Sequence, residues 1–165
     1  MNNIFLRKSL FTQSGVAAVE FGLLIVLLLM IVAAVIEFGR AFWYYDALTK
    51  ATRDGARLVS MADVDAIETV ESNAIDMVVA AGNDAKVIPQ LTTSNVEVEC
   101  EVGGTWGNCT DGTAPDQVRV SIVNFSMVIG GGWIPILPPP GTLGSGPVSF
   151  GTITLAPHTT MRYMQ

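Results

Sequence analysis

Glu20 is the residue whose position most needs a chemical explanation, because its carboxylate lies near the start of a long apolar run that begins at Gly15. A charged side chain within a membrane segment costs about 2.5 to 3.5 kcal/mol on insertion scales, so such a residue usually has a partner of opposite charge. The chemistry that Glu20 could perform is therefore ion pairing within lipid. The alternative is that Glu20, so near the end of the run, reaches the headgroups and has no role.

The two cysteines, Cys100 and Cys109, flank a loop rich in glycine, threonine and asparagine. Neither a second pair of cysteines nor a nearby histidine is present in the sequence to complete a zinc site. The spacing therefore favours a disulfide in an oxidising compartment such as a periplasm, with two free thiols as the alternative.

Residue types for catalysis are scarce. The chain has one histidine, His158, whereas a hydrolase or transferase needs a nucleophile, a base and an orienting group. Four acids resemble a metal-binding cluster, but their spacing fits a solvated helix N-terminus: Asp63, Asp65, Glu68 and Glu71. We therefore predict no enzyme activity, no metal, no cofactor and no small-molecule substrate. The net charge of −6, with no basic stripe, argues against nucleic acid as a partner.

The apolar run is long enough to cross a membrane once. Residues 16–36 would form a helix of roughly 31 Å, close to the hydrocarbon thickness of a bilayer. Arg7 and Lys8 precede the run and mixed charges follow it, so the positive-inside rule places the N-terminus in the cytoplasm and the C-terminal part outside. A cleaved secretory signal, using Ala33 and Ala34 as its small residues, is the alternative, although the helical pattern continues through them.

The helix is predicted to continue as a stalk over residues 37–62. Polar residues at helical spacing form one stripe along it: Asp46, Lys50, Arg53 and Arg57. A second face is expected to pack on a head domain or a partner: Phe42, Tyr45, Leu48, Thr52, Gly55 and Val59. Gly39 and Gly55 are either flexure points or places of close packing. Trp43, Tyr44 and Tyr45 follow the span where an interfacial aromatic belt is expected, with core packing as the alternative for each of them.

Residues 63–165 have the pattern of an α+β head domain. A second helix is indicated by a capping box of Asp65 with Glu68 and by Gly82 as its stop. Two alternating segments then predict antiparallel strands across the cysteine loop, with one apolar face each: Val96, Val98 and Cys100, and Val118, Val120 and Ile122. A third candidate strand contains Phe150, Ile153 and Leu155, and Pro157 confines its later part to a sheet edge.

A glycine- and proline-rich stretch between the second and third strands carries large apolar side chains: Trp133, Ile134, Ile136 and Leu137. Its proline content excludes a central strand. The stretch either is buried in the core or forms an interaction patch for the membrane surface or a neighbouring subunit.

The junction "G-VAAV-EF", from Gly15 to Phe21, follows a short basic leader and resembles that of a type IV prepilin. Together with the downstream segment "EFGRAFWYYDALTKATRDGARLVSMA", it is similar to the TadE-like family of tight-adherence (Flp-type) pilus assembly proteins. The resemblance covers residues 7–62 well and the rest only loosely, through a closing "TITLAPHTTMRYM". It departs at Phe21, where the family commonly has tyrosine.

The resemblance implies a mechanism for Glu20. A prepilin peptidase would cut between Gly15 and Val16, removing residues 1–15 and making Glu20 the fifth residue of the mature chain. The new amine of Val16 would then pair with Glu20 of a neighbouring subunit, with Phe21 beside it. Cutting would also discard the basic residues of the leader, which would otherwise resist extraction of the helix from the bilayer.

The function implied is that of a non-catalytic minor pilin or pseudopilin, with a long N-terminal helix and a second helix packed with a small antiparallel sheet, as in pilins. Its expected partners are a prepilin peptidase, other pilin or pseudopilin subunits with their assembly machinery, and the membrane. It would cross the bacterial inner membrane once, with its head in the periplasm. The alternative is an uncleaved membrane-tethered binding module outside the cytoplasm, whose helix is only an anchor.

Overall fold

The computed structural model of the protein describes residues 14–129 and 151–164. They belong to two compact units, an N-terminal unit within residues 1–36 and a head unit within residues 37–165. Helix α1, Ser14–Ser60, contributes residues to both units. Its sequence contains no proline, and it ends with Met61 and Ala62 donating backbone hydrogen bonds to carbonyls three residues earlier.

Of the N-terminal unit the structure describes residues 14–36, all of which belong to α1. Its apolar side chains are exposed along almost the whole segment, from Val16 to Ile36. By length and composition α1 is the one helix within the described residues that could cross a membrane. An apolar surface of this kind is stable only when lipid or another protein covers it.

The head unit combines the rest of α1 with a second helix and two antiparallel sheets. Helix α2 is Ile67–Asp84, and the strands are β1 Val96–Val102, β2 Thr105–Gly107, β3 Gln117–Ile122, β4 Ser126–Val128, β5 Thr152–Thr154 and β6 His158–Arg162. Short 3₁₀ helices, Val64–Ala66 and Thr93–Asn95, precede α2 and β1. One sheet has the order β2-β1-β3-β6, and β4 pairs with β5 in the other. This confirms the predicted α+β fold.

The alternating patterns correctly identified the main sheet. Strand β1 pairs antiparallel with β3, so that Val98 lies opposite Val120 and Cys100 opposite Val118. Every residue on the predicted apolar faces of these two strands is buried. The predicted third strand is two strands: β5 pairs with β4 in the smaller sheet, and β6, which follows Pro157, pairs with β3 at the edge of the main sheet as expected. Of its predicted apolar side chains, Leu155 is buried, Ile153 is exposed, and Phe150 lies outside the described residues. Hairpin strand β2 was not predicted, because its three residues are too few to show a period.

The face that α1 buries differs at its beginning from the predicted one. Leu48, Gly55 and Val59 are buried as expected, but Tyr44 fills the preceding turn and Tyr45 is 47% exposed. Tyr44 is one helical turn before Leu48, and the side chain of Tyr45 is rotated from that of Tyr44 by about 100° around the helix. Core packing of Tyr45, and the interfacial position of Tyr44, are therefore wrong.

The predicted boundaries of α2 are also wrong. Its N-cap is Ala66 with no side-chain hydrogen bond, and Asp65 does not form a box with Glu68. Instead the Glu68 backbone N–H donates to the Asp111 carboxylate, and the Asp111 N–H donates to the Glu68 carboxylate. A loop distant in sequence therefore supplies the reciprocal pair that local spacing assigned to Asp65. Gly82 lies inside the helix, which ends at Asp84.

Gly55 marks the closest approach of α1 to the rest of the core. A Cβ built on Gly55 would lie 2.7 Å from Cγ2 of Val78 on α2 and 3.6 Å from Cγ1 of Val120 on β3. No side chain fits there without displacing Val78, whose branched side chain has little rotamer freedom. Of the two roles considered for Gly55, close packing is therefore the one that the structure supports.

We expect Gly55→Ala to destabilise the head unit by about 1 kcal/mol, because overpacking costs ~1–3 kcal/mol and alanine recovers about 1 kcal/mol of helix propensity. Gly39→Ala is the matched control on the same helix: its Cβ would meet nothing within 4 Å, so it should be neutral or stabilising. Urea unfolding of the full chain in detergent measures both. Adding Val78→Ala to Gly55→Ala should restore part of the loss, and equal effects at both glycines would contradict the packing role.

Candidate functional site

The predicted junction residues occupy the first two turns of α1. Gly15, Val16, Glu20 and Phe21 are all exposed, and a Cβ on Gly15 would meet no atom within 4 Å. Val16 and Glu20 are four residues apart and therefore lie on one face of the helix. The described part of the chain covers none of these side chains.

Glu20 makes no hydrogen bond or ion pair with any residue in 14–129 or 151–164. The three ion pairs found in these residues involve the other carboxylates Glu37, Asp46 and Glu99. Arg7 and Lys8 lie outside the described residues. Within an apolar helix, a carboxylate of this kind needs a partner from another molecule or a place near the headgroups.

A second charged pair on α1, Glu37 with Arg40, lies just beyond residue 36 in the head unit. Glu37 is only 7% exposed, and Nη2 of Arg40 donates to its Oε2 at 2.7 Å. The same nitrogen donates to the backbone carbonyl of Val128 on β4 at 3.0 Å. Arg40 also lies over the ring of Tyr44, 6.0 Å from its centroid. The pair therefore connects α1 to the smaller sheet.

Sequence reasoning placed Glu37 and Arg40 among the charges after the span but did not foresee their burial. Opposite charges three residues apart on a helix are the signal that could have indicated the pair. Such spacing is common on exposed helices, and the exposed pair of Asp46 with Lys50, at 2.7 Å, has the spacing that we predicted. Burial by β4 is what distinguishes Glu37, and a local pattern does not encode it.

Exposed aromatic side chains follow the predicted span. Phe38, Phe42 and Trp43 are each more than 60% exposed, and the rings of Phe38 and Phe42 are 6.2 Å apart. The indole Nε1–H of Trp43 donates to the backbone carbonyl of Ala85, just after α2, at 3.4 Å. Trp43, which we predict in an interfacial aromatic belt, is therefore exposed, and so are Phe38 and Phe42 on the same helix; the belt itself stays a prediction.

The predicted disulfide joins Cys100 on β1 to Cys109 in the loop before β3, with a Cα–Cα distance of 5.0 Å. Both cysteines are buried, and the described residues contain no free thiol. The bridge closes the β1–β2 hairpin region onto the edge of the core.

Removing the disulfide should lower the free energy of unfolding by roughly 2.5–3 kcal/mol, because it releases a short closed loop in the unfolded chain. The test replaces Cys100 and Cys109 together by alanine and follows urea unfolding with and without reductant. The unchanged protein should lose this stability when reduced, whereas the double variant should not respond to reductant. An equal response of both proteins would contradict the expectation.

The predicted acidic residues lie around the start of α2. No group of three or more potential ligands in the described residues is arranged to hold a metal ion. Burial raises the pKa of Glu71, and the neighbouring Glu68 carboxylate adds to the rise. The Glu68 and Glu71 carboxylates therefore repel one another. His158 is exposed on β6, away from these acids in sequence.

Two other predicted features lie outside the described residues. They are the leader, apart from its last residues, and the apolar patch of Trp133, Ile134, Ile136 and Leu137. The flanks of the latter segment are described: the backbone N–H of Ile129 donates to the carbonyl of Gly151 at 3.0 Å.

Comparison with known families gives a match in the N-terminal part of the chain. Residues 15–57 match the family model TadE, described as TadE-like protein. The matched region contains the junction, the apolar span, the Glu37–Arg40 pair and most of the stalk, but neither α2 nor the sheets. Neither the search of curated proteins nor the search of solved structures gave a match. The TadE-like family consists of structural proteins associated with pili. In its N-terminal helix this chain is therefore similar to TadE-like proteins, which is consistent with the tight-adherence pilus system.

Proposed function

We propose that this protein is a non-catalytic minor pilin or pseudopilin that is inserted in the inner membrane and takes part in assembly of a tight-adherence pilus. The observation that carries the proposal is Glu20: an exposed carboxylate in an apolar helix, without a partner in the described chain, one helical turn after Val16. The family match supports the pilus association and begins at Gly15.

Processing provides the missing charge. Cleavage of the Gly15–Val16 peptide bond by a prepilin peptidase leaves an ammonium group on Val16, and this group pairs with Glu20 of an adjacent subunit. Each charge alone is costly in lipid, and the pair removes most of that cost for both. The exposure of the whole apolar segment of α1 supports its use as the packing surface between subunits.

The proposed topology places the N-terminus in the cytoplasm and the head unit in the periplasm. The basic leader supports this orientation through the positive-inside rule. The Cys100–Cys109 disulfide supports an oxidising compartment for the head, because disulfides persist mainly there.

The decisive experiment is sequencing of the N-terminus after expression with and without an active prepilin peptidase. A mature chain that begins at Val16 only when the peptidase is present supports the proposal. A chain that keeps its leader beside an active peptidase contradicts it. A Gly15→Leu variant is the matched control, because a bulky residue at the cut position should block processing without changing the span.

A further inference from the structure

We give the name span-proximal surface to a set of exposed side chains of the head unit: Phe38, Phe42 and Trp43 on α1, with Lys86 and Ile88 in the turn after Ala85, the residue that Trp43 contacts. Among the described residues of the head unit, its four large apolar side chains are the most exposed, at 71%, 66%, 63% and 64% for Phe38, Phe42, Trp43 and Ile88. Every other exposed large apolar side chain there is less than 60% exposed. Apolar exposure is therefore concentrated and not scattered.

A contact between two elements brings these residues together. Nε1 of Trp43 donates to the carbonyl of Ala85, the C-cap of α2. The chain after Ala85 passes through Lys86, whose φ of 59° turns the backbone, and reaches the exposed Ile88. The turn that carries Lys86 and Ile88 thus lies beside Trp43, although it is more than forty residues away in sequence.

We infer that the span-proximal surface docks on the headgroup region of the bilayer, so that the turn after α2 is a second membrane contact of the head. Continuity in sequence with the apolar segment identifies lipid as the occupant. Phe38 and Trp43 follow residue 36, the last residue of that segment, by two and seven positions, where the chain would leave the bilayer. Aromatic rings favour this layer, and a lysine ammonium is attracted to anionic headgroups.

The inference rests on one part of the proposed function, the membrane span, and not on processing or filament assembly. Its consequence is that a subunit in the membrane holds its head against the bilayer by two separate chain segments. Extraction into a filament must then release Ile88 and its turn as well as the span.

Tryptophan fluorescence of the full chain in phosphatidylcholine–phosphatidylglycerol vesicles tests this docking. Trp106 and Trp133 are replaced by phenylalanine, Trp43 is kept because its N–H contacts the turn, and the emission added by Ile88→Trp is measured as the difference from the same chain with Ile88. A headgroup spin label should quench this added emission at least threefold more strongly than that of a chain keeping only Trp106. Trp106 is a suitable reference because it lies near the C-terminal end of α1, away from Trp43. It pairs with Glu101, whose carbonyl accepts from the Asp116 N–H; the Asp116 carbonyl accepts from Tyr163, and the next residue, Met164, donates to Ser60 at the end of α1.

A third variant, with Leu27→Trp as the only tryptophan, reports on the span through quenching by lipids brominated in the acyl chains. If Leu27→Trp is quenched but Ile88→Trp behaves like Trp106, the docking inference is overturned and the anchored topology stands. If Leu27→Trp is not quenched, both the anchor and the docking fail. If the Ile88→Trp emission shifts to the blue only as the protein-to-lipid ratio rises, a second copy covers the surface and the lipid assignment is wrong.

Discussion

Replacing Glu20 by glutamine should reduce incorporation of the protein into pili at least tenfold while leaving its insertion in the membrane unchanged. Glutamine keeps the size of the side chain but cannot balance an ammonium group on an adjacent subunit. That amine would then be the uncompensated charge in lipid, and breaking a buried pair on one side is more costly than removing both charges. Insertion should not suffer, because a neutral amide is less costly in the span than a carboxylate.

Two measurements on the same cells decide this prediction: the amount of the protein in purified pili and the amount in the membrane fraction. A matched control moves the carboxylate by one residue, with Glu20→Val and Val19→Glu in one chain. The control keeps the charge and the composition of the span but rotates the carboxylate by about 100° around the helix. It should fail to assemble as Glu20→Gln does.

Normal assembly of the Glu20→Gln chain would instead favour an anchor without a pairing role, as in a membrane-tethered binding module. In that case α1 would need only its apolar surface, and any neutral residue at position 20 would serve. Asp54→Asn serves as the specificity control, since it also removes one carboxylate from α1, but from an exposed position in the head unit. It should leave assembly unchanged.

The parts of the fold that the sequence predicts well are those in which one chemical period continues over several residues. The alternation in β1 and β3 placed six side chains on the buried face, and all six are buried. The apolar span is equally clear, because its length and composition match the thickness of a bilayer. In both cases one environment, the core or lipid, selects apolar side chains at many positions, so that an exception at a single position does not hide the pattern.

The errors arise where a contact distant in sequence decides the local structure. Glu68 binds Asp111 and not Asp65, so the start of α2 depends on a loop more than forty residues away. Gly82 does not end α2 but lies two residues before its last residue, and its missing side chain leaves room for Leu48 and Leu91. A cap and a stop signal are one- or two-residue patterns, and tertiary packing readily overrides them.

The candidate site was predictable in its residue types but not in its partners. The position of Glu20 in the apolar run raised the question of its charge, and the junction around Gly15 supplied the resemblance that the family match supports. The burial of Glu37 was not foreseeable, because it depends on β4. Helix α1 thus carries two carboxylates that are costly to remove from water, and they differ in their partners. Glu37 pairs with Arg40 of its own chain, whereas Glu20 has no partner in the described residues.

This contrast gives a large stability effect at Arg40. Replacing Arg40 by methionine should lower the free energy of unfolding of the head unit by about 3 kcal/mol, the lower end for a broken buried pair. The lower end applies because the Arg40 side chain is 22% exposed, so water screens part of the interaction. The variant leaves Glu37 buried without its cation, and the carbonyl of Val128 loses a donor.

Urea unfolding of the full chain in detergent measures this loss, and two further variants identify its origin. Arg40→Met combined with Glu37→Leu removes both charges and should recover most of the stability, because no buried charge then lacks a partner. Lys50→Met is the matched control: the pair of Lys50 with Asp46 has the same 2.7 Å distance, but its side chains are 69% and 55% exposed. Exposed pairs contribute at most about 1 kcal/mol to the free energy of unfolding. If Arg40→Met loses no more stability than Lys50→Met, burial of Glu37 does not make its pair with Arg40 important for stability.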